Sequence, residues 1–295
     1  MIAQENVLQI ESSRLIGRED RSLGAILSEE GKLTPADIER VMELQRMEGL
    51  RFGEAALRLG LIAPQDLNAA LAKQYDVPHL IADGDSLNSE LIAAYQPFHR
   101  RVEELRALRT QLMIRWYNPE AGRKVLAIVS PGPGEGRSYV AANLALVFAQ
   151  LGQRTLLLDA DLRSPRQHRL FSVPDRIGLS AALSGRADRS AVVACPDFGR
   201  LWLLPAGALP PNPQELLARG ALALLLKELQ SEFDVVIIDT PPAKLYADAQ
   251  TVAFRAGNAL VLARKNETRL ADTNSLVREF GDTGTHVVGT VINTF

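Results

Sequence analysis

Lys124-Val125-Leu126-Ala127-Ile128-Val129-Ser130-Pro131-Gly132-Pro133-Gly134-Glu135-Gly136-Arg137-Ser138-Tyr139 is the stretch on which the rest of the chain turns. Val125–Val129 is an unbroken apolar run of strand length, as a strand buried on both faces requires. A Pro/Gly turn follows, then a helical pattern from Val140 to Leu151 that Gly152 closes. Strand, glycine-rich turn and helix together form the setting of a phosphate-binding loop. The glycines let consecutive backbone N–H groups converge on an anion, and the helix N-terminus adds its dipole. In that pattern a cation after the last glycine neutralises phosphate charge and the next hydroxyl ligates Mg²⁺. Those two positions hold Arg137 and Ser138, with arginine where lysine is usual. Alone, such a turn would read as a plain strand-to-helix connection. The strands downstream decide otherwise.

Arg154–Asp161 reads as a second buried strand with two carboxylates, Asp159 and Asp161, at its C-terminal end. Two positions apart on a strand, they would share a face. Asp234–Asp239 is an apolar strand ending in aspartate and running into Thr240-Pro241-Pro242, the Walker B pattern. Ala259–Ala263 and Val287–Asn293 supply two more strands, and helical patterns lie at 213–229, 247–256 and 269–280. Alternating strands and helices predict an α/β, doubly wound parallel sheet. Ligands of such sheets sit at the carboxyl ends of the strands. The glycine loop, Asp159, Asp161, Asp239 and Asn293 all fall at that edge. Carboxylates there can hold Mg²⁺ or accept a proton from an incoming hydroxyl.

The chain has 295 residues, enough for two domains, and a formal net charge of -2, which steers nothing toward nucleic acid. One cysteine, Cys195, excludes an internal disulfide framework and fits a reducing compartment. Met1–Glu5 has no basic or apolar signal-peptide character, and no apolar run approaches the ~20 residues that span a bilayer. The expectation is a cytoplasmic protein whose membrane contact is borrowed from a partner.

Residues 1–80 carry an internal repeat. Leu23-Gly24 recurs as Phe52-Gly53, Gly31 as Gly60, Leu33 as Ile62, Pro35 as Pro64, Asp37 as Asp66 and Gln45 as Gln74, all with one offset. Each copy reads as a short helix, a glycine turn and a second helix that starts on proline, and two such copies would pack as a small helical domain. Arg51-Phe52-Gly53-Glu54-Ala55-Ala56-Leu57 and Leu59-Gly60-Leu61-Ile62 resemble the N-terminal domain of type II secretion ATPases, some of which bind cyclic di-GMP. That resemblance implies a regulatory domain. A dinucleotide would want Arg21 and Arg51 for its phosphates, whereas the packing character of the repeat positions favours protein docking. Residues 81–97, poor in periodicity, read as a linker. A helix from His99 to Trp116 carries Glu103, Arg106 and Arg109, which fall within an arc of roughly 120°. On its own this is an ordinary solvated face.

From about Pro97 onward the resemblance is to the bacterial tyrosine kinases of polysaccharide export. It rests on Ser130-Pro131 through Ser138, Ala141-Ala142-Asn143-Leu144-Ala145, Asp159-Ala160-Asp161-Leu162-Arg163 with Pro165 and His168, Leu204–Gly207, Pro210–Pro213, and Asp239–Pro242 with Asp248-Ala249. With the repeat in front and Arg137 in the loop, the chain is similar to the exopolysaccharide chain-length-determinant subfamily. The resemblance implies a P-loop kinase domain over 98–295 that uses ATP and Mg²⁺ and transfers phosphate to tyrosine. It implies a membrane chain-length regulator as partner, and a homo-oligomeric ring built through Glu103, Arg106 and Arg109. Gly132, Gly134, Glu135, Gly136, Arg137, Ser138 and Tyr139 would wrap the phosphates, and Ser138 and Asp239 would hold the metal. Asp161 or Asp159 would be the base, Arg137 would replace the loop lysine, and Asn293 would meet the adenine. Such kinases usually end in a tyrosine cluster, whereas this sequence reads Thr294-Phe295 at its end and scatters its five tyrosines. Weak or absent autophosphorylation is therefore expected, with kinase activity directed at tyrosines on a partner. A MinD/ParA-like ATPase switch and a non-catalytic nucleotide-sensing scaffold are the competing readings. Members of the first usually carry an extra early loop lysine, and Pro131-Gly132-Pro133 has none.

Overall fold

The structure, a computed structural model, describes residues 22–75 and 88–294. The chain divides into two compact units, Met1–Val77 and Pro78–Phe295. Arg21, expected above to face a dinucleotide, lies outside the described residues.

The N-terminal unit is one pattern written twice. α1 (Leu23–Glu29) and α2 (Pro35–Glu48) form the first copy, α3 (Phe52–Arg58) and α4 (Pro64–Gln74) the second. Thr34 Oγ1 accepts the Asp37 N–H at 3.2 Å and the Asp37 carboxylate accepts the Thr34 N–H at 3.1 Å, a reciprocal cap. The second copy has Ala63 at that position and keeps one half, Ala63 N–H to Asp66 at 2.8 Å. Pro35 and Pro64 open the long helices, where no N–H is required. The copies exchange partners: α1 packs on α4, and α2 on α3. The buried apolar core is Ile26, Leu27, Leu33 and Val41 with Ala55, Ala56, Ile62 and Ala70. The second four are the first four moved by the repeat offset, so neither copy buries its face without the other.

In the second unit α5 (Ile92–Tyr95) and α6 (Arg100–Arg115) precede β1 (Val125–Val129) and α7 (Arg137–Gln150). β2 (Thr155–Asp159), α8 (Gln167–Leu170), α9 (Leu179–Leu183), β3 (Val193–Ala194) and β4 (Leu201–Leu204) follow. α10 (Pro213–Ala218), α11 (Gly220–Glu232), β5 (Val235–Asp239), α12 (Asp248–Ala256), β6 (Asn258–Arg264), α13 (Leu270–Asp282) and β7 (His286–Asn293) complete it. The sheet order is β3-β4-β2-β5-β1-β6-β7, parallel throughout except for the β3–β4 edge pair. Because side chains alternate along a strand, the sheet feeds two cores. Leu126, Ile128, Leu157 and Ile237 pack on the side covered by α5, α6 and α7. Val125, Ala127, Leu156, Val236 and Ile238 pack with Leu222, Val252 and Phe280 of α11, α12 and α13. This is the doubly wound sheet that the sequence predicts.

Three local expectations change. β4 was not foreseen: Leu201-Trp202-Leu203-Leu204 is short, lacks β-branched residues and runs into Pro205. β2 stops at Asp159, so Asp161 sits in the loop beyond rather than on the strand. Residues 88–97, assigned above to a linker, instead pack as a strap across α7. Leu91, Ala93 and Ala94 are buried there. Asn143 of α7 accepts the Ala93 N–H at 3.0 Å and donates to the Glu90 carbonyl at 2.9 Å, while Gln150 donates to the Ala93 carbonyl at 2.8 Å.

Candidate functional site

The loop between β1 and α7 owes its shape to its glycines and to Glu135. Gly134 and Gly136 have φ of +70° and +95°, backbone that side chains with a Cβ adopt at a cost. Glu135 is buried and accepts the Gly132 N–H at 2.8 Å and the Thr268 hydroxyl. Its own carbonyl accepts Asn293 Nδ2 at 3.1 Å. Glu135 and Asn293, both expected to touch the nucleotide, thus hold the loop to the sheet edge. Asn293 also lines a cavity of about 440 Å³ with Tyr139, Arg101 and Glu104. The first intrahelical bond of α7 runs from Val140 N–H to the Gly136 carbonyl at 2.9 Å. The amides of Gly136 to Tyr139 are therefore the ones that helix geometry leaves for an anion.

Arg137 does not reach outward. It is buried, its Nε donates to the Thr240 carbonyl at 2.7 Å, and its Nη1 donates to the Gly132 carbonyl at 2.6 Å and to Ser130 Oγ. One guanidinium thereby joins the glycine loop to the segment after β5. Burial lowers its basicity, and Asp239, Asp161 and Glu135 act in the opposite direction.

The carboxylates separate into distinct roles. Asp159 and Asp239 are register partners on neighbouring strands and both are fully buried. Asp159 accepts the N–H groups of Asp161, Arg166 and Gln167 at 3.1–3.2 Å, so it clamps the loop after β2. Burial, and then the charge of Asp239, push its carboxyl above the usual range. In this arrangement the Asp159 carboxylate faces the backbone of the loop after β2. Asp161 lies at the surface of a cavity of about 300 Å³ that Gly134, Ser138, Arg163, Arg166 and Tyr246 also line. Its Oδ1 accepts the Arg163 and Ser164 N–H groups at 3.1 and 2.9 Å. Asp239 stands behind Ser138. Its Oδ2 accepts Gln167 Nε2 at 2.8 Å, while its buried Oδ1 has no hydrogen-bond partner among the described residues. Burial pushes the Asp239 carboxyl up to about 6, against Ser138, Gln167 and Arg137, which lower it. An orphaned buried carboxylate oxygen beside a loop hydroxyl fits a hard divalent cation.

Gln167 had no role in the sequence reading. It is fully buried and donates to both Asp239 and the Ser138 carbonyl, at 2.8 and 3.1 Å. A lone glutamine eight residues beyond Asp159 carries no signal in one sequence. Arg163 follows Asp161 in the loop after β2. It makes a two-pronged bond to the buried Asp248, at 2.7 and 3.1 Å, and lies over the Tyr246 ring at 3.9 Å.

On the charged helix α6, Glu103 and Arg106 pair with each other, Glu103 exposed and Arg106 half-buried. Arg109 turns inward, and its Nη1 donates to the Val147 carbonyl at the end of α7 at 2.7 Å. The expected arc of three solvated charges is therefore two charges and a helix tie.

Residues 122–294 match the ParA family described as NUBPL iron-transfer P-loop NTPase. The chain is 33% identical to the tyrosine-protein kinase etk of Escherichia coli K12 over 206 residues, 70% of this chain and 28% of that protein. It is 32% identical to the tyrosine-protein kinase YwqD of Bacillus subtilis 168 over 210 residues, 71% of this chain and 88% of that one. It thus spans under a third of the length of etk and most of YwqD. The kinase domain of E. coli ETK superposes with a TM-score of 0.67 at 30% identity, over 73% of this chain and 84% of that domain. MinD of Pyrococcus horikoshii, solved with Mg-ADP, gives 0.52 at 25% identity, over 58% and 70%. None of these alignments extends over the whole chain. Among the described residues, no helix is long and apolar enough to cross a membrane.

Proposed function

This chain belongs to the bacterial tyrosine-kinase branch of the ParA-type P-loop NTPases, and from that membership we propose that it transfers phosphate from ATP to protein tyrosine. One observation carries the reading. Asp161, a carboxylate outside the strand, shares a cavity wall with Ser138 and the glycine loop, while Asp239 sits buried behind them. When bound, Mg-ATP supplies the γ-phosphoryl group that passes to the phenol oxygen, leaving ADP. The amides of Gly136 to Tyr139 hold the phosphates, with Gly132 and Gly134 shaping their approach. Ser138 and Asp239 hold the metal, and Gln167 fixes the Asp239 carboxylate. Asp161 accepts the phenol proton as the new bond forms. Arg137 acts as a strut of the loop, which supports transfer by keeping those amides aligned.

The proposed setting is polysaccharide export, with a membrane chain-length regulator as partner and a ring assembled through the Glu103–Arg106 face of α6. The N-terminal unit is proposed as a docking module, with cyclic di-GMP as the alternative ligand through Arg51. MinD similarity favours a second reading, an ATPase switch. A phosphotyrosine assay with Mg-ATP, run with and without the cytosolic part of the membrane regulator, separates the two. Phosphotyrosine that disappears in Asp161→Asn supports the kinase. Hydrolysis without phosphotyrosine would hand the site to the switch. Failure of a fluorescent ATP analogue to bind would sink both.

A further inference from the structure

Beside the candidate active site lies a second cavity, of about 620 Å³, that shares Arg163, Ser164 and Arg166 with it. His168, Arg169 and Arg176 also line it. The shared arginines are already matched, Arg163 by Asp248 and Arg166 by Glu90 at 2.6 Å. His168 faces Asp175, the cavity's one acidic residue, at 3.3 Å. Arg169 and Arg176 are exposed and have no carboxylate partner among the described residues. Leu209, on the same wall, is 61% exposed. Two unmatched guanidinium groups thus face a concave basin that opens onto the cavity of Asp161. The whole molecule is slightly acidic, at -2, so this is a local concentration of positive charge.

We propose that this basin recognises acidic residues flanking the tyrosine to be phosphorylated, with Arg169 and Arg176 as the specificity-determining side chains. The proposal rests on the kinase reading of the neighbouring site. A tyrosine presented to Asp161 carries its neighbours across the wall that the two cavities share. Carboxylates there meet forked guanidinium donors whose geometry suits them, and a small apolar residue can lie on Leu209. A basin of about 620 Å³ that shares Arg163, Ser164 and Arg166 with the candidate site suits a peptide segment better than a nucleic acid, whose regular phosphates call for an extended positive track.

The test uses the full-length chain and two tyrosine peptides of equal length, one flanked by glutamates and one by serines. Binding is read by fluorescence anisotropy and transfer by phosphotyrosine kcat/KM. The parent should bind and phosphorylate the glutamate peptide about tenfold better at low salt, and the Arg169→Glu/Arg176→Glu variant should lose that preference. Nucleotide affinity and serine-peptide turnover should stay unchanged, which also reports an intact fold. Equal binding of both peptides by the parent would overturn the proposal, as would a preference that survives charge reversal. So would tighter binding to a single-stranded oligonucleotide of matched charge. Preferential binding of the acidic peptide without phosphate transfer to either would uphold the basin and reject the kinase reading.

Discussion

Arg137 stands where a mobile lysine is usual, yet its three donated bonds join Thr240, Gly132 and Ser130. A lysine is a point charge on a flexible stem and cannot fork between those acceptors. Arg137→Lys is therefore expected to lower nucleotide-free stability by about 1–3 kcal/mol while retaining Mg-ATP binding. Thermal melts with and without Mg-ATP test this, and an unchanged melt would mean the strut carries no weight. Asp239 makes an opposite trade. Burial lifts its native carboxyl to about 6, well above the ordinary value of an aspartate. The folded chain therefore binds the proton more tightly than the unfolded one. Both states are protonated below the unfolded value, and no penalty applies there. The penalty grows as pH rises from about 4 to 6 and is complete above that. Asp239→Asn is expected to stabilise the metal-free protein by about 2–3 kcal/mol at pH 7.5. The gain should vanish toward pH 4, and Mg²⁺-dependent nucleotide affinity should be lost at every pH. A variant less stable than the parent at pH 7.5 would refute the assignment.

At the scale of elements, α6 combines two roles that spacing alone merges. Steps of three residues fixed the arc of Glu103, Arg106 and Arg109, but which way the arc faces depends on α7, whose last carbonyls need donors. Arg109→Ala should thus cost about 1–2 kcal/mol, read as a lower melting temperature. Glu103→Ala/Arg106→Ala should move the melt by under about 1 kcal/mol, since Glu103 is exposed and Arg106 only half-buried. It should nevertheless lower the assembled mass in light scattering, and an unchanged mass would make the pair an ordinary solvated face. The same limit explains what else the sequence left hidden. The 125–129 strand is apolar throughout, and the 155–159 and 235–239 strands are apolar up to the aspartate that ends each, so all three were legible. The strap at Leu91–Ala94 is four apolar residues without periodicity. Its anchor, Asn143, lies fifty residues away, and such a pairing is written in the fold and not in local pattern. Ser138, Asp161 and Asp239 stood out because chemistry restricts their residue types. Glu135 and Arg137 drew notice because they occupy the loop, and that their side chains brace it is seen only in their hydrogen bonds.

At the scale of the whole molecule, the N-terminal repeat was legible because both copies obey one offset, and the core keeps it: Ile26 with Ala55, Leu27 with Ala56, Leu33 with Ile62, Val41 with Ala70. A single copy of such a motif cannot bury its apolar face. The exchanged packing, α1 on α4 and α2 on α3, makes the pair the smallest folding unit. A fragment of residues 1–80 is expected to melt cooperatively, whereas residues 22–49 alone should show little helix by circular dichroism. Val41 is fully buried, so Val41→Asp should unfold the fragment by leaving a charge without a partner. The second unit has its own two cores on either side of one sheet, and nucleotide affinity in a 78–295 fragment should match that of the parent. The function of the repeat then follows from calorimetry on the 1–80 fragment. Its conserved offset positions are mostly packing residues used up in the core, and Arg51 is a lone exposed cation at the start of α3 among the described residues of that loop. The expected result is no heat with cyclic di-GMP, which leaves protein docking as its role. Micromolar binding that disappears in Arg51→Ala or Arg21→Ala would reverse that assignment and make the repeat a dinucleotide sensor joined to the kinase.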